Sequence, residues 1–332
     1  MMAASLPVLA SRSILSSLPS VSAAFAYGSA AFKQANNYSR DNMLDLILVV
    51  DNPKEFHSEN LQRNPHHYSF VRVFGPAFIS RLNDAPAYVY YNTAVRIDEQ
   101  LLKYGVISKD RLISDLLDWD VLYTAGRMHK PINYITDVDT EMSMAQDMNL
   151  RSALHTALLT LPETFSLQDL FIRITRLSYD GDFRMLFGED KNKVANIVKP
   201  AMREFEDIYS PFLTSMTTVE WSPGSSQVHQ DLSQAARLHH LELLPKSVQH
   251  QLLTKWRPGD NRHKDVEDVL KSIARNPSSL CADIVHRSVR SIVRGPALGQ
   301  SLKGLLTSGP IIATEYVMKK IGKMISSQRR KS

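Results

Sequence analysis

The sequence predicts an α/β protein of the α+β kind, with a mixed-sheet unit followed by a longer helical part. Three observations predict it. Apolar runs bounded by turn residues concentrate before about residue 125: Leu44 to Val50, Ser69 to Val73 and Ala87 to Ile97, punctuated by Asp51-Asn52-Pro53 and Gly75-Pro76. Beyond that point apolar residues recur at helical spacing. The end of the chain, 313–332, reads as a basic amphipathic helix. At 332 residues, 43% hydrophobic and 22% charged, the chain can bury two ordinary cores. The expected divisions are 1–20, 21–125, 126–220, 221–312 and 313–332.

Residues 1–20 are rich in serine, leucine and alanine, with Arg12 as their only cation and no acid before Asp41. A short import presequence is expected there. Tyr27-Gly28-Ser29 is a small turn, and Asp45 follows sixteen residues after Ser29 inside the run Met43 to Val50. Glycine has no Cβ to keep phosphate oxygens from backbone N–H groups, and the serine hydroxyl adds a donor. A carboxylate on the adjoining strand can anchor magnesium, which prefers hard oxygen ligands and bridges phosphates. Gly28 and Ser29 with Asp45 therefore form a candidate triphosphate and Mg2+ site. A second carboxylate two residues on would share the strand face, but that place is Ile47. The remaining candidates are Asp51, roughly 20 Å away along a straight strand, and Asp115 on another segment.

In the helical part, Ser166-Leu167-Gln168-Asp169 has the form of a capping box, with Leu170, Ile174 and Leu177 at helical spacing behind it. Val194, Ile197, Val198, Met202, Phe205 and Ile208 form a second stripe, and both stripes are expected to be core faces. Trp221 to Ser226 is expected to be a linker, with a further helical region from about Asp231. In the tail, Ala313, Val317, Ile321 and Met324 share one face while Lys319, Lys320 and Lys323 fall mostly off it. Six basic residues against one acid from Glu315 onward carry the whole net charge of +5. Val317, Lys319, Lys320, Ile321, Lys323 and Met324 are the candidate membrane-binding residues, with apolar groups among acyl chains and lysines on anionic headgroups.

The segments Phe25 to Ser29 with Phe32 and Gln34, Leu44-Asp45 through Pro53, His57, Asn60, His67-Tyr68-Ser69, Tyr90-Tyr91-Asn92 and Lys103 to Ser108 are similar to one family. So are Asp115 to Trp119, Leu122-Tyr123, Ala125-Gly126-Arg127, Lys130-Pro131, Asp180 to Met185 and Lys303 to Thr307. Together they resemble the translocator assembly and maintenance protein 41 group of mitochondrial phosphatidate cytidylyltransferases, from about residue 20 to the C-terminus. The resemblance implies a nucleotidyltransferase-fold domain followed by a helical, winged-helix-like domain. It also implies a magnesium-dependent synthesis of CDP-diacylglycerol from CTP and phosphatidic acid, for cardiolipin, by a peripheral protein on the matrix side of the inner mitochondrial membrane. On that basis Asp45 and Ser29 are the catalytic candidates, and Tyr27, Gly28, Ser29, Lys103, Arg127 and Lys130 the nucleotide-binding ones. Ala30 stands where the family usually shows a further glycine, which narrows the room beside the phosphates.

Several classes have little to stand on. No apolar run approaches the length that spans a bilayer. Apart from the tail the charge is balanced, which makes a general nucleic-acid binder a poor fit. The lone Cys281 excludes an internal disulfide framework and reads as a packed helix face. The adjacent pairs His66-His67 and His239-His240 point apart in any regular element and make poor shared metal ligands. Asp180-Gly181-Asp182 is either a cation-holding or an ordinary acidic turn. The alternatives to a lipid cytidylyltransferase are a nucleotidyltransferase acting on RNA and a non-catalytic assembly factor for the inner-membrane import translocase.

Overall fold

The computed structural model describes residues 14–28, 43–98, 100–182, 184–187, 192–256 and 265–308. Ser29 and the tail residues Val317 to Met324 named above lie outside the described residues. The first unit is a five-stranded mixed sheet. β1 (Ala23–Tyr27) and β2 (Leu44–Val50) come first, followed by α1 (Pro53–Arg63) and α2 (Gly75–Asp84). β3 (Tyr90–Ile97) and β4 (Gln100–Ser108) form a hairpin, α3 (Lys109–Asp118) and the short α4 (Ala125–Met128) follow, and β5 (Asn133–Tyr134) completes the sheet. The order is β3-β4-β2-β1-β5, with β2 and β4 parallel and the other pairs antiparallel.

β2 is apolar throughout except at Asp45 because both faces of the sheet are covered. Phe25, Ile47, Val49 and Ile107 pack towards Leu112, Trp119 and Leu154 on one side. Leu46, Leu48, Tyr104 and Val106 pack with Phe56, Ile14 and Leu18 on the other. Ile14 and Leu18 are thus part of this second core. The expected strand Ser69 to Val73 is instead a 3-10 turn over Phe70–Phe74, with Ser69 Oγ accepting from Val71 N at its start. The expected strand from Ala87 begins at Tyr90.

A buried polar network lies behind the second face. His57 Nε2 donates to Asn83 Oδ1 (3.2 Å), and its Nδ1 accepts from the Tyr68 hydroxyl (2.9 Å). Asn60 Nδ2 donates to both Tyr68 and Tyr104 hydroxyls, and Tyr104 donates in turn to His67 Nδ1 (2.9 Å). This pattern needs both imidazoles neutral, and burial pushes each down to about 4. Between that value and the ordinary 6.5 the unfolded chain binds more protons than the folded one, so stability is complete above pH 6.5 and is lost as pH falls towards 4. For the fully buried His57 alone this is on the order of 3 kcal/mol. Urea unfolding at pH 7.5 and 4.5 is expected to show at least that loss, and equal stabilities would contradict the neutral network.

The helical part begins with α5 (Thr140–Leu158), β6 (Thr164–Ser166) and α6 (Leu167–Arg176). The capping box at Ser166 and Asp169 is present in both directions, and Leu170, Ile174 and Leu177 are buried as the pattern requires. α7 (Arg184–Phe187) and α8 (Lys193–Val198) follow, then a 3-10 turn at Lys199–Ala201 and α9 (Met202–Ser215). The second apolar stripe is thus split between two helices, because Pro200 cannot continue α8. β7 (Val219–Glu220) and β8 (Gln227–Gln230) pair antiparallel, and β6 joins β8 on its other side. Trp221 to Ser226 is therefore a hairpin turn rather than a linker, closed by Trp221 Nε1 donating to Ser225 O (2.9 Å).

The last elements are α10 (Gln234–Glu242), α11 (Lys246–Lys255), α12 (Val266–Ala274) and the long α13 (Ser278–Ser308). Cys281 is buried on α13, as expected, and burial pushes its thiol up to about 11. Near its end, α13 returns to the first unit. Lys303 Nζ donates to Leu82 O (2.7 Å), Ala85 O (2.6 Å) and Val89 O (2.7 Å), which uses all three ammonium hydrogens. No described helix is long and apolar enough to cross a membrane.

Candidate active site

Register aligns the predicted residues. Tyr27 on β1 pairs with Asp45 on β2, and Asp45 pairs with Lys103 on β4, so three side chains form one row across the sheet. Lys103 Nζ lies 3.4 Å from Asp45 Oδ1 and 4.5 Å from the centre of the Tyr91 ring. The Tyr27 and Tyr91 hydroxyls meet at 3.3 Å. Burial alone would lower the Lys103 ammonium, but the Asp45 carboxylate together with Tyr91 and Tyr123 outweighs it and holds the group above its usual range. Gly28 ends β1 at φ +83°, a left-handed conformation that side chains resist, and a Cβ there would stand 3.5 Å from Asp45 Oδ2.

The other predicted cations approach from the segment after α3. Asp115 is fully buried and accepts four backbone N–H groups: Val121 (3.0 Å) and Leu122 (2.7 Å) on one oxygen, Thr124 (3.1 Å) and Ala125 (2.9 Å) on the other. Burial raises its carboxyl above the usual range against those donors. The loop so folded delivers Tyr123 and α4. Arg127 lies 3.8 Å from the Tyr123 ring centre and 5.7 Å from that of Tyr27, and its Nη1 donates to Tyr123 O (2.5 Å). Lys130 Nζ donates to Gly126 O and Ser178 Oγ (the latter at 3.3 Å) and lies 5.4 Å from the Tyr179 ring centre. Gly126 permits this approach, since a Cβ there would collide with Ser178 Cβ.

α5 supports the arrangement from behind. Asn149 Oδ1 accepts from Trp119 Nε1 and His129 Nε2, both at 2.9 Å, while its Nδ2 donates to Ala125 O (3.1 Å). Gln146 Nε2 donates to Met128 O (2.7 Å), and the Tyr209 hydroxyl donates to His129 O (2.8 Å).

Two further cations join that sequence reasoning did not single out. Arg184 is held by Asp182 through Nε (2.9 and 3.0 Å) and Nη2 (2.5 Å), close enough to Tyr123 and Arg127 to feel their charge. Lys193 lies 5.1 Å from the centre of the Tyr179 ring. Burial, and then the cations Arg127 and Lys193, push the Lys130 ammonium well below its usual range. Five cations, Lys103, Arg127, Lys130, Arg184 and Lys193, thus lie in the neighbourhood of Asp45 and Asp182, and Asp182 is already engaged by Arg184. Clustered cations of this kind attract phosphate groups.

The other metal candidates stand apart from Asp45. Asp51 lies beyond the opposite end of β2, exposed, and accepts from Ser22 Oγ (2.7 Å). Asp115 has its oxygens committed to the loop. Asp180 meets His286 Nε2 (3.1 Å) and Asp182 meets Arg184, so these partners are side chains of the protein itself. His67 bonds Tyr104 and His240 bonds His155 (2.8 Å), and among the described residues no group of three or more His, Cys, Asp or Glu is placed to hold a metal. Magnesium keeps several waters and is commonly bound through one or two carboxylates plus substrate phosphates. Asp45, partly exposed and already facing an ammonium, fits that requirement as the single protein carboxylate of such a site.

The chain is similar to known proteins along nearly its whole length. The family model described as phosphatidate cytidylyltransferase, mitochondrial, matches residues 11–323. Three proteins of that name are similar over nearly their whole length. The one from Xenopus laevis is 41% identical over 98% of this chain and 99% of its own. That from Mus musculus is 43% identical over 94% of each, and that from Caenorhabditis elegans is 38% identical over 96% of this chain and 99% of its own.

Proposed function

Because the chain belongs to the mitochondrial phosphatidate cytidylyltransferase family, we propose that the cleft around Asp45 holds CTP while a phosphate oxygen of phosphatidic acid attacks its α-phosphorus. The protein is an enzyme of CDP-diacylglycerol synthesis. A bond forms between that oxygen and the α-phosphorus, the bond from the α-phosphorus to the bridging oxygen breaks, and pyrophosphate leaves. CDP-diacylglycerol then serves the route to cardiolipin. The observation that carries the site is the row Tyr27, Asp45 and Lys103 faced by Arg127, with Lys130 and Arg184 close to Arg127.

Little covalent help is needed, because positioning and charge neutralisation supply most of the rate. Lys103, Arg127 and Lys130, joined by Arg184, steady the charge that grows on the departing pyrophosphate. Gly28 lets the triphosphate approach the backbone, and Ser29 adds a hydroxyl. Asp45 would hold Mg2+, which when bound offsets phosphate charge and fixes the in-line geometry. The sheet with an acid-bearing strand after the Gly28 turn supports a nucleotidyltransferase domain. The three-stranded β6-β8-β7 sheet among helices supports a winged-helix-like second domain. The relatives' names support a mitochondrial place of action, and the lipid substrate supports a peripheral position on the matrix side of the inner membrane.

The test is direct. Purified protein, labelled CTP, Mg2+ and phosphatidic acid should yield a CDP-lipid and pyrophosphate, and absence of a labelled lipid would reject the reading. Lys130 adds a second expectation. Lys130→Met should weaken CTP binding by about tenfold or more, measured by calorimetry; binding equal to that of the unmodified protein would place the triphosphate elsewhere.

A further inference from the structure

We propose that the surface formed by Phe70, Val73, Phe74 and Phe78 is a bilayer-docking face of the sheet domain, separate from the C-terminal tail. It rests on the reading that the acceptor is a membrane lipid. These four side chains are 52%, 75%, 58% and 38% exposed, and the Phe74 and Phe78 rings pack on each other at 5.0 Å. Contiguous exposed aromatics on a folded element mark a surface that meets something apolar.

The face is built rather than loose. Val71 and Ile79 point inward and are buried, Tyr68, Ile79 and Tyr90 form a small core beneath it, and Ser69 caps the 3-10 turn. Phe74, Ala77, Phe78 and Arg81 are all exposed at positions i, i+3, i+4 and i+7, one stripe of a helical surface.

Charge selects the occupant. From Asn60 through Asn83 the chain has no acid and three arginines, Arg63, Arg72 and Arg81, of which Arg72 and Arg81 flank the aromatic stripe and are exposed. The acids at either end of this stretch, Glu59 and Asp84, are paired with Arg63 and Arg111, so the charge left beside the aromatics is basic, which suits an anionic bilayer. Phenylalanine rings enter the headgroup and acyl boundary while arginines meet lipid phosphates, the arrangement of an interfacial element.

The test uses the full chain with Phe74→Ser/Phe78→Ser and, separately, Phe74→Trp. With vesicles of phosphatidylcholine containing phosphatidylglycerol, the double variant should bind at least tenfold more weakly. It should also lose turnover on long-chain phosphatidic acid in vesicles, yet keep activity within twofold on a short-chain, water-soluble phosphatidic acid. The indole introduced by Phe74→Trp, read as the difference from the unmodified protein's emission, should shift to the blue on adding those vesicles and be quenched by brominated acyl chains. Undiminished vesicle binding by the double variant would overturn the proposal. So would emission from the introduced indole that is already blue and insensitive to lipid, which means the protein's own tail covers the face. A mass change from dimer to monomer in the double variant would overturn it in favour of a second copy. Activity on the soluble substrate separates these outcomes from failure of the enzymatic reading, since that activity does not depend on the face.

Discussion

Asp45→Asn is expected to lower turnover by at least about a hundredfold, the scale seen when one preorganised electrostatic group is removed, and to leave the melting temperature nearly unchanged. Asparagine keeps the size and the β2 register, so the row with Tyr27 and Lys103 survives in shape. The lost ion pair is partly exposed and is worth about 1 kcal/mol or less. What disappears is, among the described residues, the one carboxylate facing the cleft that is not tied to a neighbouring arginine. The sign of its effect on binding is diagnostic. Five cations would then face a triphosphate with less competition, so CTP measured without metal should bind as tightly as before or more tightly, while turnover collapses. A variant that keeps near-normal turnover would remove Asp45 from the chemistry. One that loses metal-free CTP binding and turnover together would make its role positioning of Lys103.

Asp115→Ala is the second large effect, and its signature is opposite. The substitution leaves four backbone N–H groups buried with no acceptor, each costing about 1 to 3 kcal/mol. The loss should therefore be at least about 4 kcal/mol in denaturant unfolding. Because those N–H groups shape the loop that delivers Tyr123 and Arg127, whatever protein remains folded should bind CTP poorly. Asp51→Asn provides the contrast, since an exposed group bonded to Ser22 should change stability by no more than about 0.5 kcal/mol and turnover very little. Equal stability losses at positions 51 and 115 would contradict the latch.

Local pattern carried some elements well and others poorly, for identifiable reasons. The run Leu44 to Val50 is a strand as its composition demands, because two packed faces leave room only for apolar side chains. Asp45 stands out there for the same reason. The Ser166 capping box is a local device and needs no distant partner. Ser69 to Val73 has strand composition too, yet forms a 3-10 turn, since only Val71 finds a core position and Ser69 caps locally. Trp221 to Ser226 has the composition of a linker and of a hairpin turn alike. What decides is the pairing of β8 with β6, more than fifty residues earlier in the chain. Asp115 shows the same limit for chemistry, because a carboxylate that binds metal and one that gathers backbone N–H groups look identical in one dimension. Lys103, Arg127 and Lys130 came from recognisable segments. Arg184 lies in such a segment too, Asp180 to Met185, but it and Lys193 reach the cleft only through the return of the helical part, which local pattern does not show.

The triple bond of Lys303 has a mechanical consequence. Its three carbonyl partners come from the end of α2 and the loop that starts β3, the strand of Tyr91. α13 is therefore a strut pinned near its far end to the edge strand of the five-stranded sheet. A displacement of α13 is transmitted to the strand that carries Tyr91 instead of being absorbed by a slack joint, so the last helix and the geometry around Lys103 are parts of one lever.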